Sequence, residues 1–547
     1  MTTLDMTPGA QIPRTDVGPQ TAVTQALSSA AYRDGELSAF AAVQPEVKQK
    51  DGRFALFRPN LGEAFSRAVI ARTLGAARNP LVPSFGTDAR LIVEHCLAAQ
   101  ELRDVRDRKL TTVTALSGLL FLPGTLLWLG AFQLRAWLKK GQVKQEGLIG
   151  GLVLLAVAAI AVLFALRPPF SGLAALYFRV VVLAPVVGWY LAKRIVLRST
   201  EDLRARWLAL VEGNTLAATV PKAVPRDDLD KKAADLKAQL GRLEAEQETN
   251  IQHYAGPKGI LGAGRRWGSW TMSDVLQPAE GHDDFRAFHP WDLVRKITAH
   301  LKSLSISEVA NSGMTNLSIQ QWVMQEVGES ADEIGRPAGA DMDGVRMREF
   351  AIQGVADRQN LSGGPRHYLA VQFVLFDGKL IVTFTVTVTL LANTLTVEVA
   401  GHALGPVNGL FFDKPKPKET TVQKTGKFWE ERTVQLPLVD NDEVVRQAVR
   451  APFLRAPSLL AWLGGGLALP EPFGLRHAWA APPWGSRFMS DSALKSAVPV
   501  LGAVHLATTE FLEEHDISID RFKSRASIIK AEAQGPRPFR ADAFDAG

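Results

Sequence analysis

The stretch LSGLLFLPGTLLWLGAF, residues 116–132, carries no charged side chain and is interrupted near its middle by Pro123 and Gly124. Such a composition is typical of a segment that lies in the hydrocarbon region of a bilayer. Proline removes a backbone donor and clashes with the preceding helical turn, whereas glycine tolerates a reversal of the chain. The segment therefore either crosses a membrane with a kink or returns to the side from which it entered.

Two further apolar segments follow. Residues 148–166 are nineteen residues without a charge, and at 1.5 Å per residue they reach about 28 Å, which is close to the hydrocarbon thickness. Residues 172–192 form the next segment and contain Arg179 and Pro185. We expect both segments to cross. Arg179 either partners an acidic or phosphate group or extends its side chain to the membrane surface.

Basic residues flank these segments on several sides, and cytoplasmic flanks of membrane segments are enriched in Lys and Arg. Three straight crossings cannot place every basic flank on one side, whereas a hairpin over residues 110–138 can. The hairpin or re-entrant form is therefore favoured, with a single Pro-kinked span as the alternative. The flanking residues are Arg103, Arg106, Arg108 and Lys109; Lys139, Lys140 and Lys144; and Lys193, Arg194, Arg198, Arg204 and Arg206.

The composition of the chain limits its location and partners. Its 547 residues have a formal net charge of +6 and a pI near 9.3, but the basic residues crowd beside the apolar segments, so a nucleic-acid partner is not predicted. Cys96 is the single cysteine, so no intrachain disulfide is possible and a buried core thiol is expected. The N-terminus lacks the pattern of a signal peptide, so we expect the first hundred residues to stay in the cytosol.

Patterns along the chain divide it into regions. A heptad-like seam of Leu229, Ala233, Leu236, Leu240 and Leu243 predicts a short coiled coil, which either pairs two chains as a homodimer or docks on its own chain. The predicted regions are a disordered tail (1–30), a helical N-terminal cytoplasmic module (31–109), the membrane region (110–197), a helical or coiled-coil connector (198–250), an α+β cytoplasmic domain (251–530) and a second disordered tail (531–547).

The strongest strand signal lies in HYLAVQFVLFDGKLIVTFTVTVTLLANTLTVEVAGHAL, residues 367–404. Val and Phe alternate with Thr over 382–390, which is the period of a half-buried strand, and a solvated or partner-covered threonine face is expected. Asp377-Gly378 and Ala392-Asn393 are turn signals. The predicted fold is an α-helical membrane region of two to three hydrophobic segments plus an α+β cytoplasmic domain with an antiparallel sheet.

A glycine-rich stretch, GPKGILGAGRR, covers residues 256–266. Gly262 and Gly264, followed by Arg265 and Arg266, could bind an anion through backbone amides and guanidinium groups. The alternative is a glycine-rich turn that leads into a strand, because the spacing is not that of a P-loop.

Motifs that carry catalysis are absent from the sequence: it has no G-x-S-x-G, H-E-x-x-H, paired C-x-x-C or EF-hand loop. We therefore predict no catalytic residue, no metal ligand and no cofactor. An enzyme with an unrecognised site is the third and least favoured class.

Three short stretches, NPLVPSFGTDARLIVEHCLAA (79–99), GPKGILGAGRRWGSW (256–270) and LPEPFGLRH (469–477), resemble a group of uncharacterised integral membrane proteins of actinobacteria. The resemblance implies an actinobacterial plasma-membrane protein with a cytoplasmic C-terminal domain, and it carries no activity. The basic flanks, together with the hairpin, predict a multi-pass protein with both termini in the cytoplasm. We expect a non-enzymatic membrane-anchored scaffold or interaction protein with the lipid bilayer and an unknown protein as partners. The alternative is a sensor that binds an anionic ligand or lipid headgroup through the Gly256 to Arg266 loop.

Overall fold

The structure is a computed structural model. It describes residues 21–43, 47–75, 79–138, 144–167, 171–212, 231–305, 314, 317–328, 339–359, 363–417, 419–424, 427–435, 437–525 and 528. The helices are α1 (Ala22–Ser29), α2 (Ser38–Val43), α3 (Leu61–Leu74), α4 (Ala89–Leu120), α5 (Leu122–Leu138), α6 (Lys144–Leu166), α7 (Leu173–Val211), α8 (Lys231–Gln247), α9 (Pro290–Ser303), α10 (Glu349–Arg358), α11 (Asn441–Arg450), α12 (Pro457–Gly464) and α13 (Arg487–Glu514).

The strands are β1 (Lys48–Asp51), β2 (Ile251–Tyr254), β3 (Arg265–Val275), β4 (Leu317–Glu326), β5 (Met342–Asp343), β6 (Arg346–Met347), β7 (Arg366–Leu375), β8 (Leu380–Leu391), β9 (Thr394–Leu404), β10 (Glu419–Lys424), β11 (Lys427–Gln435) and β12 (Gly465–Ala468). Together with the helices they make an α+β fold.

The largest sheet within the described residues has six strands in the order β2-β4-β7-β8-β9-β3. The three consecutive antiparallel strands predicted from the sequence are confirmed as β7, β8 and β9. Both reversals use left-handed backbone, at Asp377 and Gly378 and at Ala392 and Asn393, which suits these short hairpins.

The prediction of a purely antiparallel sheet is wrong at one edge, where β2 runs parallel to β4. The connection between these strands includes β3 and α9, which is long enough to bring the chain back to the end where β2 began. A parallel neighbour requires such a long connection, whereas hairpins give antiparallel neighbours. The sheet is therefore mixed.

One face of the sheet is covered by helices α9, α10 and α13. Val382, Phe384 and Val386 of β8 are buried there in the same core as Val500 and Val504 of α13. These β8 residues are the apolar half of the alternation recognised in the sequence. Their burial by helices gives this half of the molecule its main hydrophobic core.

The opposite face was expected to be solvated or covered by a partner, and this is wrong for its centre, where Thr383 and Thr385 are at most 2 % exposed. The chain covers the face itself with the segment before α4. Phe85 stacks on Trp322 of β4 with ring centroids 5.3 Å apart, and a side chain on Gly86 would collide with Ile381. Alternation locates a strand but does not reveal a covering layer that comes from elsewhere in the sequence.

A second core joins parts of the chain that the sequence analysis assigned to separate regions. It contains Phe40 and Phe65 from the N-terminal helices, Trp207 from α7, and Phe411 and Trp479 from loops after the sheet. Cys96 is fully buried in it, and burial raises the pKa of its thiol to about 12. The expected inert core thiol is thus present.

The predicted disordered tail at 1–30 is wrong in part, because α1 lies within it and is buried. Residues 1–20 and 529–547 lie outside the described residues.

Helix α8 contains most of the predicted coiled-coil seam. Leu240 and Leu243 are buried in the second core, and Leu236 lies against it, while Leu229 lies outside the described residues. The helix contacts α3 and α4 of its own chain. This arrangement is the docked alternative of the sequence analysis; a homodimer through these leucines stays a prediction.

Replacing Leu243 by alanine is expected to lower the free energy of unfolding by about 3 kcal/mol, because it opens a cavity in the second core. The neighbouring exposed residue is the matched control, and Arg242→Ala should change stability by less than about 0.5 kcal/mol. Denaturant titration of both variants tests this. Equal, small effects would show that α8 does not dock as described.

Candidate functional site

Two long helices leave the folded body side by side. The N-terminal half of α4 and the C-terminal half of α7 belong to the body, and they meet where Leu110 lies in one buried cluster with Ala192 and Val196. Val444 of α11 completes this cluster. Beyond it α4 and α7 continue away from the body, so the apolar helices have a continuous helical connection to the rest of the protein.

The chain reverses at Phe121. Helices α4 and α5 are separated by this residue, and their axes differ in direction by 118°. The ring of Phe121 occupies the space where a side chain on Gly124 would lie, which explains why glycine follows the proline. α5 then returns to the body, where Gln133 accepts a hydrogen bond from the amide of Leu56 at 3.3 Å.

The exposed surface of these helices is apolar. Leu119, Leu155, Leu163, Leu166 and Leu173 are all more than 60 % exposed, which is unusual for a soluble monomer in such a concentration. By length and composition, one described helix, spanning Ala175–Val211, qualifies as a membrane-crossing candidate, and the bent α4 and α5 pair qualifies as a broken or re-entrant segment. The structure thus has one span candidate on these criteria, whereas the sequence analysis predicted several.

The basic flanks require a correction. Arg103 and Arg106 are buried in the body, where Arg103 donates to the carbonyl of Ala31 at 2.6 Å and Arg106 to Asp107 at 2.6 Å. Arg204 pairs with Asp34 at 2.6 Å. These arginines have internal partners, which charge counting along a sequence cannot detect.

A smaller basic group does line the boundary between the body and the apolar helices. Arg108, Lys109, Arg194 and Arg198 are exposed there. Lys193 lies 5.1 Å from the ring centre of Trp189, and Arg194 lies 4.9 Å from that of Tyr190. Lys139 and Lys140 lie outside the described residues, and the side chain of Lys144 is not described.

Arg179 lies near the far end of the α6 and α7 pair. Its guanidinium is 3.5 Å from the carbonyl of Leu166, at the C-terminus of α6. A cation is favourable at that end of a helix. The contact fits the interpretation that the side chain reaches the end of the apolar region.

A charged cleft of about 590 Å³ opens at the base of these helices. Its walls come from the N-terminal loops, α7 and α11. Arginines and carboxylates alternate around it, among them Arg33, Arg58, Arg106, Arg204, Arg446, Asp34, Glu36, Asp440, Asp442 and Glu443. The sequence analysis did not predict this site, because its residues are separated by more than four hundred positions and form no local motif.

A buried ionic cluster lies beside the cleft. Arg450 donates to Glu63 at 2.5 Å, and Arg67 lies 3.3 Å from the same carboxylate. Burial raises the pKa of Glu63, but the guanidinium groups of Arg450 and Arg67 outweigh that effect and hold it at about 2. The pair connects α3 to α11 and so fixes one wall of the cleft.

The glycine and arginine loop has a well-defined packing role. A side chain on Gly264 would strike the carbonyl of Ala403, and one on Gly262 would crowd that of Pro83. Arg266 donates to Glu398 at 2.7 Å, and Arg265 is exposed at the start of β3. The predicted strand after the loop is present as β3. Anion binding by these residues stays a prediction.

Histidine, cysteine and acidic side chains were compared with the arrangements that bind metals. Among the described residues, no group of three or more of these side chains could hold a metal ion. The His282, Asp283 and Asp284 run is exposed, as expected of a loop surface.

The α+β part of the chain has a counterpart among known domain families. Residues 269–536 match the family model of the AbeC-like domain. The matched region therefore begins within β3 and contains α9 to α13, and it supplies one wall of the cleft while residues before it supply the other. The match supports the coarser part of the predicted resemblance, an uncharacterised family. No curated protein and no solved structure matches the chain.

The ionic pair between Glu63 of α3 and Arg450 of α11 should behave as a coupled unit. Glu63→Gln and Arg450→Gln are each expected to lower the free energy of unfolding by about 3 kcal/mol, because each leaves a buried partner unpaired. The double variant should lose less than the sum. The contribution of Glu63 is complete above its ordinary pKa of 4.5 and is lost as the pH falls towards 2.

Denaturant titration at pH 7 of the two single variants and the double variant measures this coupling. The exposed pair Lys523 and Glu513 is the control, for which the same cycle should give less than about 0.5 kcal/mol. Additive losses at Glu63 and Arg450 would contradict the pairing.

Proposed function

We propose that this protein is a membrane-anchored scaffold or interaction protein whose folded body lies on the cytoplasmic side of a bacterial plasma membrane. The anchor consists of the re-entrant pair α4 and α5 and the crossing pair α6 and α7. The observation that carries the proposal is the concentration of exposed apolar side chains on these helices, beside a body whose exposed large apolar residues are scattered and whose others lie in ordinary cores.

The lengths of the helices support a re-entrant pair α4 and α5 and a crossing pair α6 and α7. The part of α7 from Leu173 to Ala192 has twenty residues, which reach about 30 Å, and α6 with its 23 residues reaches about 34 Å. Both lengths suit a complete crossing. The part of α4 beyond Leu110 has ten residues up to its end at Leu120, so it reaches about 15 Å, half of the hydrocarbon thickness.

The packing of α4 against α7 also supports a turn at Phe121 that lies about halfway through the bilayer. A side chain on Gly188 would lie 2.6 Å from the hydroxyl of Ser117, so the helices approach closely through small residues, as is common between membrane helices. Since Ser117 is near the end of α4, the residues of α7 before Gly188 extend beyond the turn at Phe121. The turn is covered on that side by α7, which reduces the exposure of its backbone to lipid.

The orientation follows from charge and aromatic residues. The exposed basic residues at the body end, Arg108, Lys109, Arg194 and Arg198, are the group expected on the cytoplasmic side. Trp189 and Tyr190 lie at the same level, where aromatic rings favour the interface. The opposite end of the α6 and α7 pair carries Arg167 and Arg179. Both termini then share the side of the body.

Cysteine labelling tests the proposal in cells. In a Cys96→Ala background, Ser171→Cys places a thiol between α6 and α7, and Glu201→Cys places one on the body half of α7. A membrane-impermeant maleimide should label position 171 in intact cells and position 201 only after permeabilisation. The two positions lie on one helix and its preceding turn, so each serves as the control for the other.

Labelling of both positions in intact cells, or of position 201 alone, would overturn the proposed orientation. Recovery of the wild-type protein in the soluble fraction after lysis without detergent would overturn the membrane anchor itself. These two failures are distinguishable, because fractionation does not depend on which end of α7 faces outward.

A further inference from the structure

The cleft at the base of the apolar helices holds two arginine side chains whose donor groups are not fully used. The Nε atoms of Arg33 and Arg58 are buried and have no hydrogen-bond partner in the described part of the chain. The other N–H groups of Arg33 donate hydrogen bonds to the backbone carbonyls of Leu410, Phe411 and Asp413. A buried N–H group without a partner is costly, so both Nε–H groups have donor capacity for a bound ligand.

The other charges of the cleft are largely compensated. Arg204 pairs with Asp34, Arg446 with Glu443, and Arg135 lies 3.5 Å from Asp442. Arg106 is held by Asp107. Arg58 makes no ion pair within the described residues, so it is the guanidinium that remains available to an anion.

We propose that this cleft binds a phosphate-bearing ligand and that Arg58 contacts the phosphate, with Arg33 as a second donor. Guanidinium groups match phosphate oxygens in charge and in geometry. Five arginines and five carboxylates line the cleft, so the cleft as a whole has no excess charge. The positive charge open to a phosphate is that of Arg58, which has no ion-pair partner within the described residues. This inference deepens the proposed function, since a cleft at the bilayer surface is open to a lipid headgroup as well as to a small soluble phosphate ester.

Size and position support the assignment. A volume of about 590 Å³ lies within the range of small-molecule sites. Leu56 lines the cleft and its amide bonds to Gln133 of α5, so the wall that contains Arg58 is attached to the apolar hairpin. A headgroup bound here would have its acyl chains beside α5.

Binding is measured on the full chain in detergent micelles, with glycerol phosphate by calorimetry and with phosphatidylglycerol by native mass spectrometry; diacylglycerol is the lipid without a phosphate. Wild-type protein should bind at least one of the two phosphate compounds and not diacylglycerol. Arg58→Gln should weaken that binding at least tenfold, because it removes a charge-assisted hydrogen bond. Arg58→Lys keeps the charge but loses the planar guanidinium. Its affinity should therefore lie between those of the wild type and Arg58→Gln.

Arg53→Gln is the matched control. Arg53 is exposed, lies 4.1 Å from the ring centre of Trp462 and is not part of the cleft wall, so its variant should bind within twofold of the wild type. Binding of the lipid alone identifies a headgroup site, and binding of glycerol phosphate alone identifies a soluble ester. Absence of binding to both, or equal binding by wild type and Arg58→Gln, overturns the inference.

Flotation with phosphatidylglycerol vesicles separates this inference from the membrane proposal. Arg58→Gln should float as the wild type does, because the apolar helices carry the anchor. A wild type that floats but binds neither phosphate compound overturns the cleft assignment alone. A wild type that does not float overturns the anchor, whatever the result for glycerol phosphate.

Discussion

The contact of α4 with α7 at Leu110, Ala192 and Val196 is the constraint on which the rest of the structure depends. Both helices belong to the soluble core on one side of this contact and to the apolar region on the other. Because they are continuous through it, the position of the apolar helices fixes the orientation of the body. The cleft forms at this junction, where α11 packs against both helices.

The body is built from distant parts of the chain. Its sheet is covered on one face by helices of the region that matches the AbeC-like model and on the other by the segment around Phe85 and Gly86, which comes from before the apolar region. Glu63 and Arg450, 387 positions apart, join the same two portions. The Glu63 and Arg450 pair therefore connects the two walls of the cleft.

Local patterns predicted the parts of the fold that local physics determines. The alternation of β8, the turn residues Asp377 and Gly378, and the break at Pro123 all mark features that the structure contains. Partners supplied from far along the chain could not be predicted. Thr383 was expected at a surface because nothing nearby covers it, and Arg103 was counted with a membrane flank because its acceptor, the carbonyl of Ala31, is 72 positions away. The cleft was not predicted for the same reason, since its walls come from distant parts of the chain.

The central claim is that the chain turns back inside the bilayer at Phe121 while the body stays on one side. The depth of a fluorescent probe at residue 122, measured by quenching with lipid nitroxides at different acyl positions, tests it most directly. If the chain turns back at Phe121, quenching of the probe should be strongest with nitroxides near the centre of the bilayer. Quenching by an aqueous agent added on the side opposite the body would instead mean that this segment crosses, and would contradict the account.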